Sequence, residues 1–272
     1  MSDQVSIQLA RRIRAHALRM VFNAKASHIG SCLSCADILA VLYEDILKYN
    51  ASRPEDSDRD IFLMSKGHAA AVLYAVLAEK EFFPLSSLEK YCQDGSPLAG
   101  HVSKHGVPGV EFSTGSLGHG LSVGCGFAFA AKADNRSNRT FVLLSDGECD
   151  EGSIWEAVLF ASHFELNNLI AIVDYNKIQS FGNVNDVMRL EPFAMKWQSF
   201  GWNTIEVDGH NHRLLIDAFN SINNTMTKPT VIIAHTIKGK GVSYMENQLL
   251  WHYRNPNAEQ LEIALAELGV EK

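Results

Sequence analysis

The sequence predicts an α/β fold in which helices cover both faces of a parallel sheet. Short β-branched, apolar runs alternate with longer amphipathic segments, a pattern typical of strand–helix–strand units. The two clearest runs, at 140–145 and 169–174, contain few polar residues, as expected of strands buried on both faces. A chain of 272 residues with 46% hydrophobic content can bury one large core, so we expect a single α/β domain over 1–272.

The predicted elements alternate along most of the chain. The first is an amphipathic helix at 3–24, with Ile13 among its apolar positions and its arginines facing outward. These outward positions are Arg11, Arg12, Arg14 and Arg19. Further helices are predicted at 35–48, 68–80, 86–92, 117–134, 151–165, 192–200, 211–224 and 257–268. Strands are predicted at 61–64, 140–145, 169–174, 202–207 and 230–235.

Charge and composition exclude several classes of function. A net charge of −7 without a long basic run gives nucleic-acid or membrane-surface binding no electrostatic support. No apolar stretch approaches the length of a membrane span and no signal-peptide pattern is visible, so we expect a cytoplasmic protein.

The five cysteines lack a disulfide framework, which suits a reducing compartment. Cys32 and Cys35 form a lone C-x-x-C, which we interpret as buried thiols; a zinc or redox role is the alternative.

Two oxygen-bearing side chains follow the two clearest strands. Asp146 follows the strand at 140–145 and Asn176 follows the strand at 169–174, a separation long enough for one crossover. Both side chains should therefore lie at the carboxyl ends of neighbouring strands, where open α/β sheets bind ligands. With a backbone carbonyl they form an oxygen set suited to Mg²⁺, which fills its remaining positions with water and phosphate oxygens. On its own, Asp-Gly is more often an ordinary turn.

Residues 115–126 contain five glycines. Each costs about 1 kcal/mol relative to alanine inside a helix, so this content predicts that another backbone or a flat ligand approaches closely. The stretch is not a dinucleotide-binding fingerprint, because Val123 occupies the third glycine position and no strand leads into it.

Four histidines flank the ends of predicted elements, where functional sites assemble. They are His28, His68, His101 and His252. Imidazoles suit a pocket that binds sugar hydroxyls and moves protons near neutral pH. The six histidines without such surroundings receive no predicted role: His16, His105, His163, His210, His212 and His235.

In their order along the chain, these segments resemble the N-terminal half of transketolase. The matching segments are His28-Ile-Gly, Ser65-Lys-Gly-His68-Ala, Gly100-His101, Gly115-Ser-Leu-Gly, Asp146-Gly with Glu151-Gly, Asn176-Lys-Ile-Gln, and Thr236-Ile-Lys-Gly-Lys-Gly with His252 downstream. A full-length transketolase continues with pyrimidine-binding and C-terminal domains, whereas this sequence stops at Lys272. The resemblance therefore implies the thiamine-diphosphate-binding subunit of a transketolase divided over two polypeptides.

The resemblance also implies a set of site residues. Mg²⁺, for which Ca²⁺ or Mn²⁺ can substitute, would be held by Asp146, Asn176 and the backbone carbonyl of Ile178. The diphosphate would contact His68, Gly147, Asn176 and His252, and the wider cofactor-binding set includes Gly115, Ser116, Leu117 and Glu148. Gly115 and Leu117 would lie beside the aminopyrimidine ring. The catalytic histidines His28, His101 and His252 would line the substrate channel.

The implied reaction is transfer of a two-carbon ketol unit from a ketose, usually phosphorylated, to an aldose. In this family a glutamate of the pyrimidine-binding domain activates the cofactor, so the chain should be inactive without a partner that supplies it, in an α₂β₂ assembly. Glu151 and Glu156 match family glutamates at the dimer interface, although both equally suit the first turn of a helix. Two alternatives stay open: the α-subunit of a thiamine-diphosphate 2-oxoacid dehydrogenase or decarboxylase, and a non-catalytic α/β binding module.

Overall fold

The computed structural model describes residues 3–222 and 227–270, and its main feature is a sheet of five parallel strands. In sheet order the strands are β1 (Ile61–Met64), β2 (Thr140–Ser145), β3 (Leu169–Tyr175), β7 (Thr230–His235) and β6 (Asn203–Asp208). Every neighbouring pair is parallel. All five strands lie within one residue of their predicted bounds, because continuous apolar runs identify buried strands well.

Helices connect the strands and cover both faces of the sheet. They are α1 (Gln4–Ala24), α2 (Ile29–Ser34), α3 (Ala36–Val41), α4 (Ala70–Glu79), α5 (Gly120–Ala133), α6 (Gly152–His163), α7 (Val184–Val187), α8 (Phe193–Ser199), α9 (His212–Ser221) and α10 (Ala258–Glu267). A π-turn extends α3 over Leu42–Ile46, and short 3-10 turns occupy Gly67–Ala69, Leu85–Lys90, Gly147–Asp150 and Leu249–His252. A small antiparallel hairpin pairs β4 (Ile178–Gln179) with β5 (Gly182–Asn183).

Successive strand residues contribute to two separate cores. Phe141 and Leu143 of β2 pack in the core formed with α1, α3, α4 and α9, whereas Val142 and Leu144 pack in the core formed with α5, α6 and α8. This alternation follows from the pleat of the strand, which points successive side chains to opposite faces. The predicted fold class, a parallel sheet with helices on both faces, is confirmed.

Several element bounds differ from the prediction. The helix predicted at 117–134 begins only at Gly120, because Gly118 has a φ of 84°, which a right-handed helix does not allow. The segment predicted as a helix at 86–92 is a 3-10 turn over Leu85–Lys90. Three elements, α2, α7 and the β4–β5 hairpin, were not predicted because they are too short to show a period. The last two residues of the helix predicted at 211–224 lie outside the described residues.

The expectation that all four arginines of α1 face outward is wrong for Arg14. Its guanidinium is buried and donates two hydrogen bonds, of 2.9 and 2.6 Å, to the carboxylate of Asp37 on α3. A buried arginine is stable when a carboxylate balances its charge and satisfies its donors. Sequence periodicity does not reveal such a partner.

Cys32 and Cys35 are buried free thiols, as interpreted from the sequence. Burial raises the pKa of Cys32 to about 11 and that of Cys35 to about 12, so both stay protonated at neutral pH. Over residues 3–222 and 227–270, no three His, Cys, Asp or Glu side chains are grouped in a way that could hold a metal. None of the helices in this part of the chain combines the length and apolarity that crossing a bilayer requires.

Candidate active site

The carboxyl ends of β2 and β3 meet beside a cavity of about 200 Å³. Asp146 follows β2 and Asn176 follows β3, and the two strands pair in parallel register up to Ser145 and Asp174. Both side chains are buried and both line the cavity. The proximity that their positions after neighbouring strands predict is therefore observed.

The carboxylate of Asp146 is buried and accepts two backbone hydrogen bonds. Its Oδ1 accepts a hydrogen bond of 2.7 Å from the Gly147 N–H, and its Oδ2 accepts one of 2.6 Å from the Lys177 N–H. Burial, together with the negative charge of Asp174, raises the pKa of Asp146 to about 6. A divalent cation beside this carboxylate would stabilise the ionised form, so the donor set fits a metal.

Hydrogen bonds fix the orientation of the Asn176 amide. Its Nδ2 donates to Asp174 Oδ2 at 3.3 Å, and its Oδ1 accepts from the Ile178 N–H at 3.1 Å. Asp174 in turn is held by the Lys66 ammonium and by the hydroxyl of Thr236, all of them buried. The amide oxygen therefore faces the β4–β5 hairpin and the cavity. If the amide were flipped, its Nδ2 would face the Ile178 N–H, and two donors would meet.

The four predicted histidines converge on the cavity. The ring centroid of His28 lies 5.3 Å from that of His68, 5.6 Å from that of His101 and 5.0 Å from that of His252. His28 has a left-handed backbone with a φ of 71°, and its N–H donates to the His252 carbonyl at 2.9 Å. Non-glycine residues in this conformation store strain and are frequent at functional sites.

Three of these histidines, His28, His68 and His252, are neutral at physiological pH. Burial, then the neighbouring His101 and Lys238, lowers the pKa of His28 to about 4. Burial and Lys238 lower the pKa of His252 to about 3, and burial and Lys66 hold that of His68 well below its usual value. A neutral imidazole both donates and accepts a hydrogen bond, so the cluster can bind hydroxyl groups and pass protons.

Lys238 is a cavity residue that the sequence analysis missed. It is 1% exposed, and its ammonium lies 2.8 Å from the Ile178 carbonyl and 3.0 Å from His252 Nδ1. Burial lowers its pKa to about 8, which leaves it charged at neutral pH. The Lys-Gly-Lys-Gly segment was quoted among the family motifs, but nothing local to it distinguishes Lys238 from an exposed lysine.

The glycine-rich stretch mainly brings α5 close to the sheet. A side chain at Gly120 would collide with Ser65, and one at Gly124 would lie 2.5 Å from Val142 of β2. Gly115 differs, since it lines the cavity with Leu117 and a Cβ there would be 3.3 Å from the His101 ring. The close approach predicted from the glycine content is thus a helix–sheet contact at Gly120 and Gly124.

Two residues of the predicted cofactor set do not line the cavity. Ser116 is exposed. Glu148 is fully buried and accepts hydrogen bonds from the Gly118 N–H at 2.9 Å and the Ser145 N–H at 3.2 Å. Glu148 therefore supports the loop beside the cavity, and contact of either residue with a cofactor stays a prediction.

Glu151 and Glu156 are exposed on the first turns of α6, and their interface role also stays a prediction.

The chain is similar to known proteins along its whole length. The family described as transketolase, thiamine diphosphate binding domain, matches residues 5–272. An apulose-4-phosphate transketolase subunit from Phocaeicola vulgatus is 45% identical, over 94% of this chain and 91% of that protein. The 6-deoxy-6-sulfo-D-fructose transketolase subunit of a Clostridium species is 38% identical, over 99% of this chain and 98% of that protein.

The fold is similar to that of solved transketolases. The crystal structure of transketolase from Campylobacter jejuni matches 100% of this chain with a TM-score of 0.93 and 32% identity, but only 44% of that longer chain. This chain therefore spans less than half the length of that transketolase. The ordered motifs, the fold and the identity agree, and the chain belongs to the transketolase family, in its thiamine-diphosphate-binding domain.

Proposed function

We propose that this chain is the cofactor-binding subunit of a cytoplasmic two-chain transketolase, which transfers a two-carbon ketol unit from a ketose to an aldose. The observation that carries the proposal is the convergence of four histidines, Asp146 and Asn176 on one cavity. Relatives of matching length are themselves named as transketolase subunits. This similarity favours transketolase chemistry over a 2-oxoacid dehydrogenase or a non-catalytic module.

Asp146, Asn176 and the Ile178 carbonyl would hold Mg²⁺, with Ca²⁺ or Mn²⁺ as substitutes. The set contains one carboxylate, one amide oxygen and one carbonyl, which suits a cation that keeps water and phosphate ligands. Two observations support a cation here: the raised pKa of Asp146, and the contact that the Lys238 ammonium makes with the Ile178 carbonyl.

The diphosphate would lie against His68, Gly147 and His252, with Lys238 as an additional cation. These groups line the same cavity, and the lysine charge together with the metal would offset the negative charge of the diphosphate. When bound, thiamine diphosphate supplies the carbon nucleophile that takes up and releases the two-carbon unit.

His28, His101 and His252 would bind the hydroxyl groups of the substrate. Because burial keeps His28 and His252 neutral, each can donate to one hydroxyl and accept from another, or hold a proton at the free ring nitrogen. A partner chain with a pyrimidine-binding domain would close this cavity, exclude water and supply the remaining catalytic groups, in an α₂β₂ assembly. Phosphorylated sugars are the proposed substrates.

Reconstitution tests this proposal. The purified chain, a C-terminal transketolase chain, and their mixture should each be assayed with thiamine diphosphate and Mg²⁺, using a ketose phosphate donor and an aldose acceptor. We expect turnover only in the mixture, and none with pyruvate as donor. Full-rate turnover by this chain alone, or decarboxylation of pyruvate by the mixture, would contradict the proposal.

A further inference from the structure

The loop that follows β7 carries Lys238 from the sheet into the cavity. On one side of Lys238, the Thr236 hydroxyl donates to Asp174; on the other, the Gly239 N–H donates to the Gly30 carbonyl at 3.0 Å. Between these anchors, the Ile237 N–H donates to a side chain, Nε2 of His210, at 2.8 Å. One ring nitrogen therefore holds the Thr236–Ile237 peptide unit, one residue before Lys238.

The partners of His210 fix its tautomer. Since Nε2 accepts from the Ile237 N–H, the ring proton must be on Nδ1, which lies 2.7 Å from Asp37 Oδ2 and donates to it. Asp37 also accepts two hydrogen bonds from Arg14, of 2.9 and 2.6 Å, and contacts His212 at 3.1 Å. Burial works against ionisation, but Arg14 and the two histidines outweigh it and hold the pKa of Asp37 well below its usual value.

We propose that His210 is a positioning residue that, through the Ile237 N–H, sets the reach of Lys238 into the cofactor cavity. The proposal rests on the proposed function, because the ligand that Lys238 would serve is the diphosphate. The geometry leaves little tolerance: the Lys238 ammonium contacts the Ile178 carbonyl at 2.8 Å and His252 Nδ1 at 3.0 Å. A shift of the loop by about 1 Å would break both contacts.

His212 provides a matched control for His210. It is buried and contacts the same Asp37 carboxylate, but its other nitrogen lies 2.9 Å from the Ser6 hydroxyl on α1, away from the Lys238 loop. His210→Asn keeps a donor near the Nδ1 position and removes the acceptor for the Ile237 N–H. His212→Gln keeps a polar group near Asp37 and removes the contact with Ser6. Each variant thus loses one hydrogen bond on the side remote from Asp37.

The experiment measures cofactor affinity and backbone protection on the full chain in complex with its partner. We expect His210→Asn to weaken thiamine diphosphate binding in the presence of Mg²⁺ about tenfold, roughly the value of one hydrogen bond. His210→Gln, whose amide oxygen can reach the Ile237 N–H, should recover most of this loss. His212→Gln should lower the denaturation midpoint but leave affinity within about twofold, since Lys238 keeps its position.

Hydrogen exchange of the cofactor-free complex tests the positioning role of His210 separately from the proposed function of the chain. Exchange at the Ile237 amide should accelerate in His210→Asn and stay at the wild-type rate in His212→Gln. Equal losses of affinity in the two variants, or unchanged affinity in His210→Asn despite faster exchange, would overturn the positioning role. If the wild type itself failed to bind thiamine diphosphate, the proposed function would be wrong, while the exchange result would still report whether His210 holds the loop.

Discussion

Two buried polar clusters at the carboxyl edge of the sheet balance their charges in opposite ways. In the Asp37 cluster (Arg14, Asp37, His210 and His212), the carboxylate has a cation and two imidazoles as partners, and its pKa is depressed. In the cavity, burial raises the pKa of the Asp146 carboxyl and lowers the pKa values of His28 and His252. The protein's own groups balance the charge in the first cluster, whereas we propose that a metal and a diphosphate do so in the second.

The largest difference between the Asp37 cluster and the cavity should appear in Arg14→Met, which should lower stability much more than cofactor affinity. Removing the guanidinium leaves the Asp37 carboxylate buried without its cation, and we expect the free energy of unfolding to fall by about 3–5 kcal/mol. Chemical denaturation measures this loss. Thiamine diphosphate affinity of the molecules that remain folded should fall by less than the affinity loss caused by His210→Asn.

A double variant controls for the loss of packing. Arg14→Met combined with Asp37→Leu removes both charges, so it should be more stable than Arg14→Met alone even though it changes more atoms. A double variant less stable than Arg14→Met would show that Asp37 does not depend on Arg14.

In the cavity, His101→Ala should lower catalysis and leave stability nearly unchanged, which is the reverse of the effect of Arg14→Met. His101 lines the cavity beside Gly115, and we propose that it faces the substrate. We expect kcat/KM of the reconstituted enzyme to fall about 100-fold, a typical loss for a group that handles protons or hydroxyls. Affinity for thiamine diphosphate and the denaturation midpoint should change little. Equal losses in kcat/KM and in cofactor affinity would place His101 on the cofactor side instead.

A smaller effect is the change of stability with pH, which should have opposite signs for Asp146 and Asp37. The folded-state pKa of Asp146 is about 6, above that of an unfolded aspartate, so the folded chain binds more protons between these values. Compared with Asp146→Asn, the cofactor-free wild type should therefore lose about 1–3 kcal/mol of stability as pH rises from about 4 to about 6. Denaturation curves at several pH values, without added metal, measure this difference.

Asp37 should show the reverse dependence. Its folded-state pKa is depressed, so its contribution is present above the unfolded pKa and is lost as pH falls through the folded one. The stability of the wild type relative to Asp37→Asn should therefore decrease on acidification. If the relative stability changed with pH in the same direction for Asp37 and Asp146, the contrast between the two clusters would be wrong.

The two clusters also differ in how far the sequence predicts them. Asp146 and Asn176 each follow a strand that a continuous apolar run identifies, and neighbouring parallel strands end at one edge, so their meeting follows from local patterns. The four histidines singled out by the sequence, His28, His68, His101 and His252, also come together at this cavity.

The Asp37 cluster could not be predicted in this way. Arg14 lies on α1, Asp37 on α3, and His210 and His212 at the start of α9, so their contacts depend on how three helices pack. Arg14 occupies a position that the sequence pattern predicts to face solvent, and the two histidines lie in none of the segments that carry the family resemblance. Lys238 was not predicted for the same reason, because its burial depends on how the loop after β7 packs against the rest of the fold.

Calorimetric titration of the complex with thiamine diphosphate, with and without Mg²⁺, tests the central claim most directly. Wild type should bind tightly only with Mg²⁺, and Asp146→Asn should lose at least about 100-fold in affinity, as expected when a metal ligand is removed. Asp134→Asn, which changes an exposed carboxylate at the end of α5, should bind like wild type. Binding by Asp146→Asn with wild-type affinity and Mg²⁺ dependence would contradict the account, because the cofactor would then be held elsewhere.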